Sequence, residues 1–200
     1  MVFKSISIKI IELRDSDLSL RETLIQRNEL GVGYNNEMEL LHIKNAVILN
    51  DLIDKIGYPT VLKVGKEASD AGWLVIQHSI SMPVFMKKCL QLLEKEVMDH
   101  KADPIHLAYL KDRIAVFEGK PQFYGTQFDW DQNGELSPNP LDDIAIVNNR
   151  RKSIGLNTLE EQIELMRKQA IVENQKPPND LVKRELLFNE WRKKTGWITL

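Results

Sequence analysis

Apolar residues recur every three or four positions along most of this chain, which is the spacing of one face of an α-helix. The pattern predicts helices with these approximate bounds: 15–28, 36–56, 66–79, 83–98, 104–118, 142–153, 157–172 and 179–194. Asp15, Ser16 or Asp17 is expected to cap the first of them. Residues 3–13 fit either a strand or a helix, because their isoleucines alternate with polar residues before the pattern becomes helical.

The segment after the fifth predicted helix breaks the helical pattern. Gly119 and Pro121 end that helix, and residues 122–128 alternate as a strand does. A turn signal at 131–134 precedes a short return strand, so we expect a small β-hairpin over about 122–137. The predicted fold is therefore mainly α: a helical bundle-like single domain over 1–170, with 171–200 as a C-terminal helical extension packed on it.

Composition and charge exclude several classes of protein. The chain has 200 residues with a formal net charge of −2, so a general nucleic-acid binder is not expected. Its single cysteine, Cys89, excludes an intrachain disulfide and a thiolate metal cage. No apolar run approaches the roughly 20 residues of a membrane span. We therefore expect a cytoplasmic protein that binds neither nucleic acid nor membrane.

Polar side chains fall on helix and strand faces that the periodicity turns inward. These residues are His42, Asn45, Gln77, His78, Asp112, Arg113, Gln122 and Gln127. Each buried polar group must find a partner or destabilise the fold. A pocket for a small polar or anionic ligand explains so many of them more easily than packing does.

Three of these residues have side chains that suit catalysis. His42, His78 and Asp112 are the predicted catalytic residues, either for acid/base chemistry or as a two-histidine, one-carboxylate site for a divalent metal. The predicted ligand-binding residues are Asn45, Gln77, Tyr109, Arg113, Gln122, Tyr124, Thr126 and Gln127. The chain has no Gly-x-Ser-x-Gly elbow, phosphate-binding Walker loop or dinucleotide fingerprint, so serine hydrolases and nucleotide enzymes gain no support.

The alternative is a non-catalytic interaction or inhibitor-type protein, and the residues leave the choice between enzyme and binding protein open. In a non-catalytic protein, the same polar residues would form a structural hydrogen-bond network. A protein partner could dock on the C-terminal helix, whose apolar residues are Leu186, Leu187, Phe188 and Trp191.

An ordered set of short motifs resembles the bacterial domain-of-unknown-function family 6624. The set includes Met38 to Ala46, Gly57-Tyr58-Pro59, Trp73 to His78, Leu107 to Arg113, Gly119 to Phe128, and Arg150 to Leu156. The resemblance covers about residues 15–165. It implies no activity, but it places the polar residues named above at the family's signature positions.

Overall fold

The computed structural model describes residues 3–29 and 33–199. Within those residues it has nine helices and one two-stranded antiparallel sheet, which confirms the prediction of a mainly α protein with a small hairpin. The chain divides into two compact units, with the boundary between Asp103 and Pro104. The division into a single domain over 1–170 and an extension over 171–200 stays a prediction.

The first unit is entirely helical in its described residues. Its helices are α1 (Lys4–Gln26), α2 (Asn36–Ile56), α3 (Val61–Val64), α4 (Lys66–His78) and α5 (Pro83–Met98). Helix α1 packs against both α2 and α4. Helices α1 and α4 lie close together at Gly72, where an added Cβ would be only 3.5 Å from Ile10 Cγ2. The core between these three helices is where polar side chains from separate parts of the chain meet.

The expectation that the first helix begins at Asp15–Asp17 is wrong, because α1 begins at Lys4 and runs through all three residues. The undecided segment 3–13 therefore belongs mainly to that helix. Its inward face carries Ser7, Ile10, Leu13, Asp17 and Leu24, at the spacings of helical turns. Asp17 is consequently a mid-helix residue that faces the core, not a cap.

The second unit contains the hairpin. Its elements are α6 (Pro104–Phe117), β1 (Phe128–Trp130), β2 (Leu136–Pro138), α7 (Ile144–Ser153), α8 (Leu159–Val172) and α9 (Leu181–Thr195). The two strands pair antiparallel, with Phe128 opposite Pro138 and Trp130 opposite Leu136. The predicted strand over 122–128 is wrong except at its last residue. Residues 122–127 form a loop. The backbone amide of Gln122 donates to the carbonyl of Pro140, whereas those of Phe123, Thr126 and Gln127 bond to side chains.

The C-terminal helix α9 packs within the second unit. The rings of Phe188 and Trp191 lie 6.2 and 5.4 Å from that of Phe117 in α6, measured between centroids. Leu186 and Leu187 remain exposed on the same helix. The aromatic half of the predicted docking surface thus contacts the second unit itself.

No helix in the described residues combines the length and the apolar character that crossing a membrane requires.

Candidate metal centre

Two of the predicted catalytic residues, His42 and His78, lie side by side in the first unit. Their ring centroids are 5.1 Å apart. The carboxylate beside them belongs to Asp17: its Oδ2 is 2.7 Å from His78 Nδ1 and 3.2 Å from His42 Nε2. One ligand atom from each of the three residues lies within 4.8 Å of the other two. This group, Asp17 with His42 and His78, is called the histidine–carboxylate cluster below.

Each member of the cluster is placed by a different helix. Asp17 lies on the inward seam of α1 between Leu13 and Leu24, and His42 lies on the buried face of α2. His78 is the last residue of α4. Because all three helices pack on one another, side chains far apart in sequence converge without any local metal-binding motif.

The cluster has a buried side and an open side. The side chains of Asp17 and His42 are only 1% and 8% exposed, whereas that of His78 is 31% exposed. Burial raises the pKa of Asp17, but the interactions with His42 and His78 outweigh it and hold the pKa well below the usual range. Asp17 is therefore an ionised carboxylate in the core, which is a strong attractor of cations.

Two buried atoms of the cluster lack hydrogen bonds. Asp17 Oδ1 and His42 Nε2 make none to any residue in 3–29 or 33–199, although Nε2 is within ion-pair distance of Oδ2. A buried polar atom without a partner costs about 1–3 kcal/mol, so it calls for an explanation in function. A cation would interact favourably with both atoms.

Tyr34 adds a fourth polar group to the cluster. Its hydroxyl oxygen is 2.5 Å from Nδ1 of His42, on the ring nitrogen opposite the one that approaches Asp17. Tyr34 directly precedes Asn35, which caps α2 through hydrogen bonds from the backbone amides of Glu37 and Met38. The cap thus fixes the position of Tyr34 relative to the start of α2, eight residues before His42 in the chain.

The predicted ligand-binding residues of the first unit are both buried. The side-chain amide of Asn45 donates to the carbonyl of Leu13, 3.0 Å away, and lies 3.4 Å from Ser16 Oγ. Asn45 therefore ties α2 to α1 one turn from Asp17. Gln77 is buried next to His78 in α4.

Asp112 lies in the second unit, where its carboxylate organises the loop at 122–127. Its two oxygens accept hydrogen bonds from the backbone amides of Phe123, Tyr124 and Thr126 and from the Thr126 hydroxyl, at 2.8 to 3.1 Å. Burial raises the pKa of Asp112, while these bonds oppose that shift. The carboxylate has the contacts of a structural anchor, and we call it the loop anchor.

The other predicted ligand-binding residues in the second unit surround the same loop. Gln122 bonds through both ends of its amide, accepting from the Gln127 backbone N–H and donating to the carbonyls of Gln127 and Asn139. Arg113 Nε donates to the side-chain oxygen of Gln127, 3.2 Å away. Thr126 bonds to Asp112, and Tyr109 is half-buried on α6. These contacts favour the structural-network alternative for this group.

A buried arginine on α7, beside the same loop, was not among the predicted site residues. Arg151 is 1% exposed and donates to the carbonyl oxygens of Tyr124 and Asn157 at 2.7 and 2.6 Å. It lies within the motif Arg150 to Leu156, but its place in a run of basic residues at the end of α7 gave no sign that it is buried. Its role follows only from the loop that folds around it.

A cleft of about 200 Å³ also lies in the second unit, beside the hairpin. It is lined by Trp130, Gly134, Glu135, Leu136, Arg167, Ala170, Ile171 and Gln175. None of the predicted ligand-binding residues lines this cleft, so it gives their assignment no support.

Asp17 is the cluster residue that sequence reasoning missed. The signal that could have found it is its spacing from Ile10, Leu13 and Leu24, which places it on the apolar seam of a helix once that helix is extended toward the N-terminus.

Comparison with known proteins gives a family but no activity. A family model described as a family of unknown function (DUF6624) matches residues 12–173, which include every member of the histidine–carboxylate cluster. No curated protein and no solved structure matches the chain.

Proposed function

We propose a metal-dependent function for this chain, which belongs to the DUF6624 family. The first unit would bind one divalent ion, such as zinc or iron, through Asp17, His42 and His78. The observation that carries the proposal is that these three side chains, from three helices, bring their ligand atoms within 4.8 Å of one another.

Bond lengths support the fit. Zinc binds histidine nitrogen and carboxylate oxygen at about 2.0–2.2 Å, so a tetrahedral ion holds its ligand atoms roughly 3.3 Å apart. The separation of His42 Nε2 and Asp17 Oδ2, 3.2 Å, already matches this value. The 2.7 Å between His78 Nδ1 and Asp17 Oδ2 must lengthen slightly, which the partly exposed His78 ring allows.

The donor set suits catalysis better than a purely structural role. Structural zinc sites usually have four protein ligands, whereas catalytic sites use three and leave a position for water or substrate. Zinc held by these three residues would lower the pKa of its water to about 7 and so would supply a nucleophile for hydrolysis. The open side at His78 would admit a small polar or anionic substrate.

Metal analysis of the untagged protein tests the proposal. The protein is saturated with zinc, freed of unbound ion, and assayed by elemental analysis, where we expect about one ion per chain. Asp17→Asn and His42→Ala should each lose most of that metal while keeping the helical circular dichroism spectrum.

A matched histidine control is His100→Asn. His100 is exposed and has a left-handed backbone (φ 56°), which asparagine tolerates, so this variant should keep the metal. If the wild-type protein retains no stoichiometric metal, the proposal is wrong. The cluster would then act either as a metal-free acid/base pair or as part of a structural network.

A further inference from the structure

The contact between Tyr34 and His42 bears on how the cluster accepts a metal, and this inference rests on the metal-dependent function proposed above. A neutral imidazole carries its proton on one ring nitrogen and has a lone pair on the other. Only the nitrogen with the lone pair can bind a metal. The residue that contacts the remote nitrogen therefore decides whether the metal-binding form of the ring is satisfied.

The two histidines of the cluster differ in this respect. His42 points Nε2 toward Asp17 and Nδ1 toward Tyr34, and its side chain is only 8% exposed. His78 points Nδ1 toward Asp17, and its ring is 31% exposed, so water can reach its remote side. The buried ring of His42 depends on a protein partner for Nδ1, and the Tyr34 hydroxyl lies there, 2.5 Å away.

We infer that Tyr34 is a positioning residue that lets His42 change tautomer when a divalent metal binds. Without metal, a proton on Nε2 faces the Asp17 carboxylate, 3.2 Å away, and the Tyr34 hydroxyl donates to the bare Nδ1. With metal on Nε2, the proton resides on Nδ1 and is donated to the Tyr34 oxygen. One proton leaves Nε2 and one arrives at Nδ1, so the ring stays neutral in both states.

A hydroxyl is the group that can serve both states. It carries one donor and can accept as well, and it reverses its role by rotating about the C–O bond. A carboxylate in its place would only accept, and a lysine would only donate. At 2.5 Å from Nδ1, the oxygen can act in either direction without movement of the backbone.

Zinc affinity tests this role, with the metal ion alone as the probe. Tyr34→Phe leaves the Nδ1–H of metal-bound His42 without an acceptor, and loss of such an outer partner typically weakens metal binding about 10–100-fold. Competition with a chromophoric chelator measures that change. Tyr58→Phe is the matched control, because the Tyr58 hydroxyl is buried in the same unit without a hydrogen-bond partner among the described residues. This variant should bind zinc within about twofold of wild type.

A second measurement needs no variant and is insensitive to a general loss of stability. Long-range ¹⁵N–¹H spectra identify which nitrogen of a histidine carries the proton. In the zinc-loaded wild-type protein, His42 should be protonated on Nδ1. The inference is wrong if His42 binds zinc through Nδ1, or if Tyr34→Phe binds zinc as tightly as the wild-type protein. If the wild-type protein binds no zinc, both the inference and the proposed function fail. A tight wild-type site that is unaffected by Tyr34→Phe overturns the inference alone.

Discussion

Replacing Asp112 with asparagine should destabilise the second unit and leave the metal of the first unit in place. The substitution separates two roles for this carboxylate. As a catalytic residue or metal ligand, Asp112 would be needed for binding and not for stability. As the loop anchor, it is needed for stability, since three backbone amides converge on its oxygens.

The contacts set the size of the effect. Asparagine keeps one acceptor oxygen, which can retain the bonds from Phe123 and Tyr124. Its NH₂ group takes the place of Oδ2, where it faces the Thr126 amide that now donates from 2.9 Å. One orphaned amide, together with the loss of charge from the remaining bonds, should cost about 2–4 kcal/mol. Asp112→Ala, which removes every acceptor, should cost more.

Urea unfolding followed by tryptophan fluorescence measures this loss. Three of the four tryptophans, Trp130, Trp191 and Trp197, belong to the second unit. A Trp73→Phe background therefore makes the signal specific to that unit. The control is Glu164→Gln in the same unit, which removes a surface ion pair with Lys168 and should change stability by less than about 0.5 kcal/mol.

Zinc content is measured on the same variants under native conditions. We expect Asp112→Asn to keep its zinc and Asp17→Asn to lose it. The role of Asp112 as loop anchor is refuted if Asp112→Asn unfolds at the wild-type urea concentration but no longer binds metal. That result would return Asp112 to the role that sequence reasoning predicted for it.

Three further outcomes follow from the structure. Gly125→Ala should lower the melting temperature much more than Gly155→Ala does. Both glycines have positive φ, but of the two only Gly125 would place the new Cβ against another residue, 2.8 Å from Leu159 Cδ1. Such overpacking costs about 1–3 kcal/mol. Equal effects of the two changes would contradict this. Arg151→Lys should destabilise the protein by about 2–4 kcal/mol in urea, because lysine cannot reproduce the fork of hydrogen bonds to two residues. A change below 0.5 kcal/mol, the usual limit for a surface site, would contradict it. The third outcome concerns pH. Because folding lowers the pKa of Asp17, its contribution to the free energy of unfolding is complete above its pKa in the unfolded chain, about 3.9, and declines as the pH falls below that value. The gap between the unfolding free energies of metal-free wild type and Asp17→Asn should therefore narrow progressively as the pH falls below about 4. A gap that is constant with pH would argue against an ionised Asp17.

The helices were predictable because their signals are local. Asparagine or aspartate caps, Pro83 at the start of α5 and glycines after α2 and α6 all act on adjacent residues. The same local reasoning placed the start of α1 wrongly. Asp15, Ser16 and Asp17 are good capping residues, but the helix begins earlier and buries Ile10 and Leu13, so it runs through these three positions without a break.

The candidate site was only half predictable. Periodicity marked His42 and His78 as inward polar residues, yet it could not show that α1 supplies the carboxylate between them. Tyr34 precedes a helix and has no periodic partner, so no sequence pattern connects it to His42. The loop at 122–127 alternates like a strand, but a side chain from α6 captures its amides, and such a tertiary contact overrides the local preference.

The most direct test of the metal centre is anomalous X-ray diffraction from zinc-loaded crystals, with data on both sides of the zinc absorption edge. We expect one strong anomalous peak in the first unit, about 2.0–2.2 Å from Asp17 Oδ, His42 Nε2 and His78 Nδ1. A peak bound by other residues, or no peak among these three side chains at saturating zinc, would contradict it.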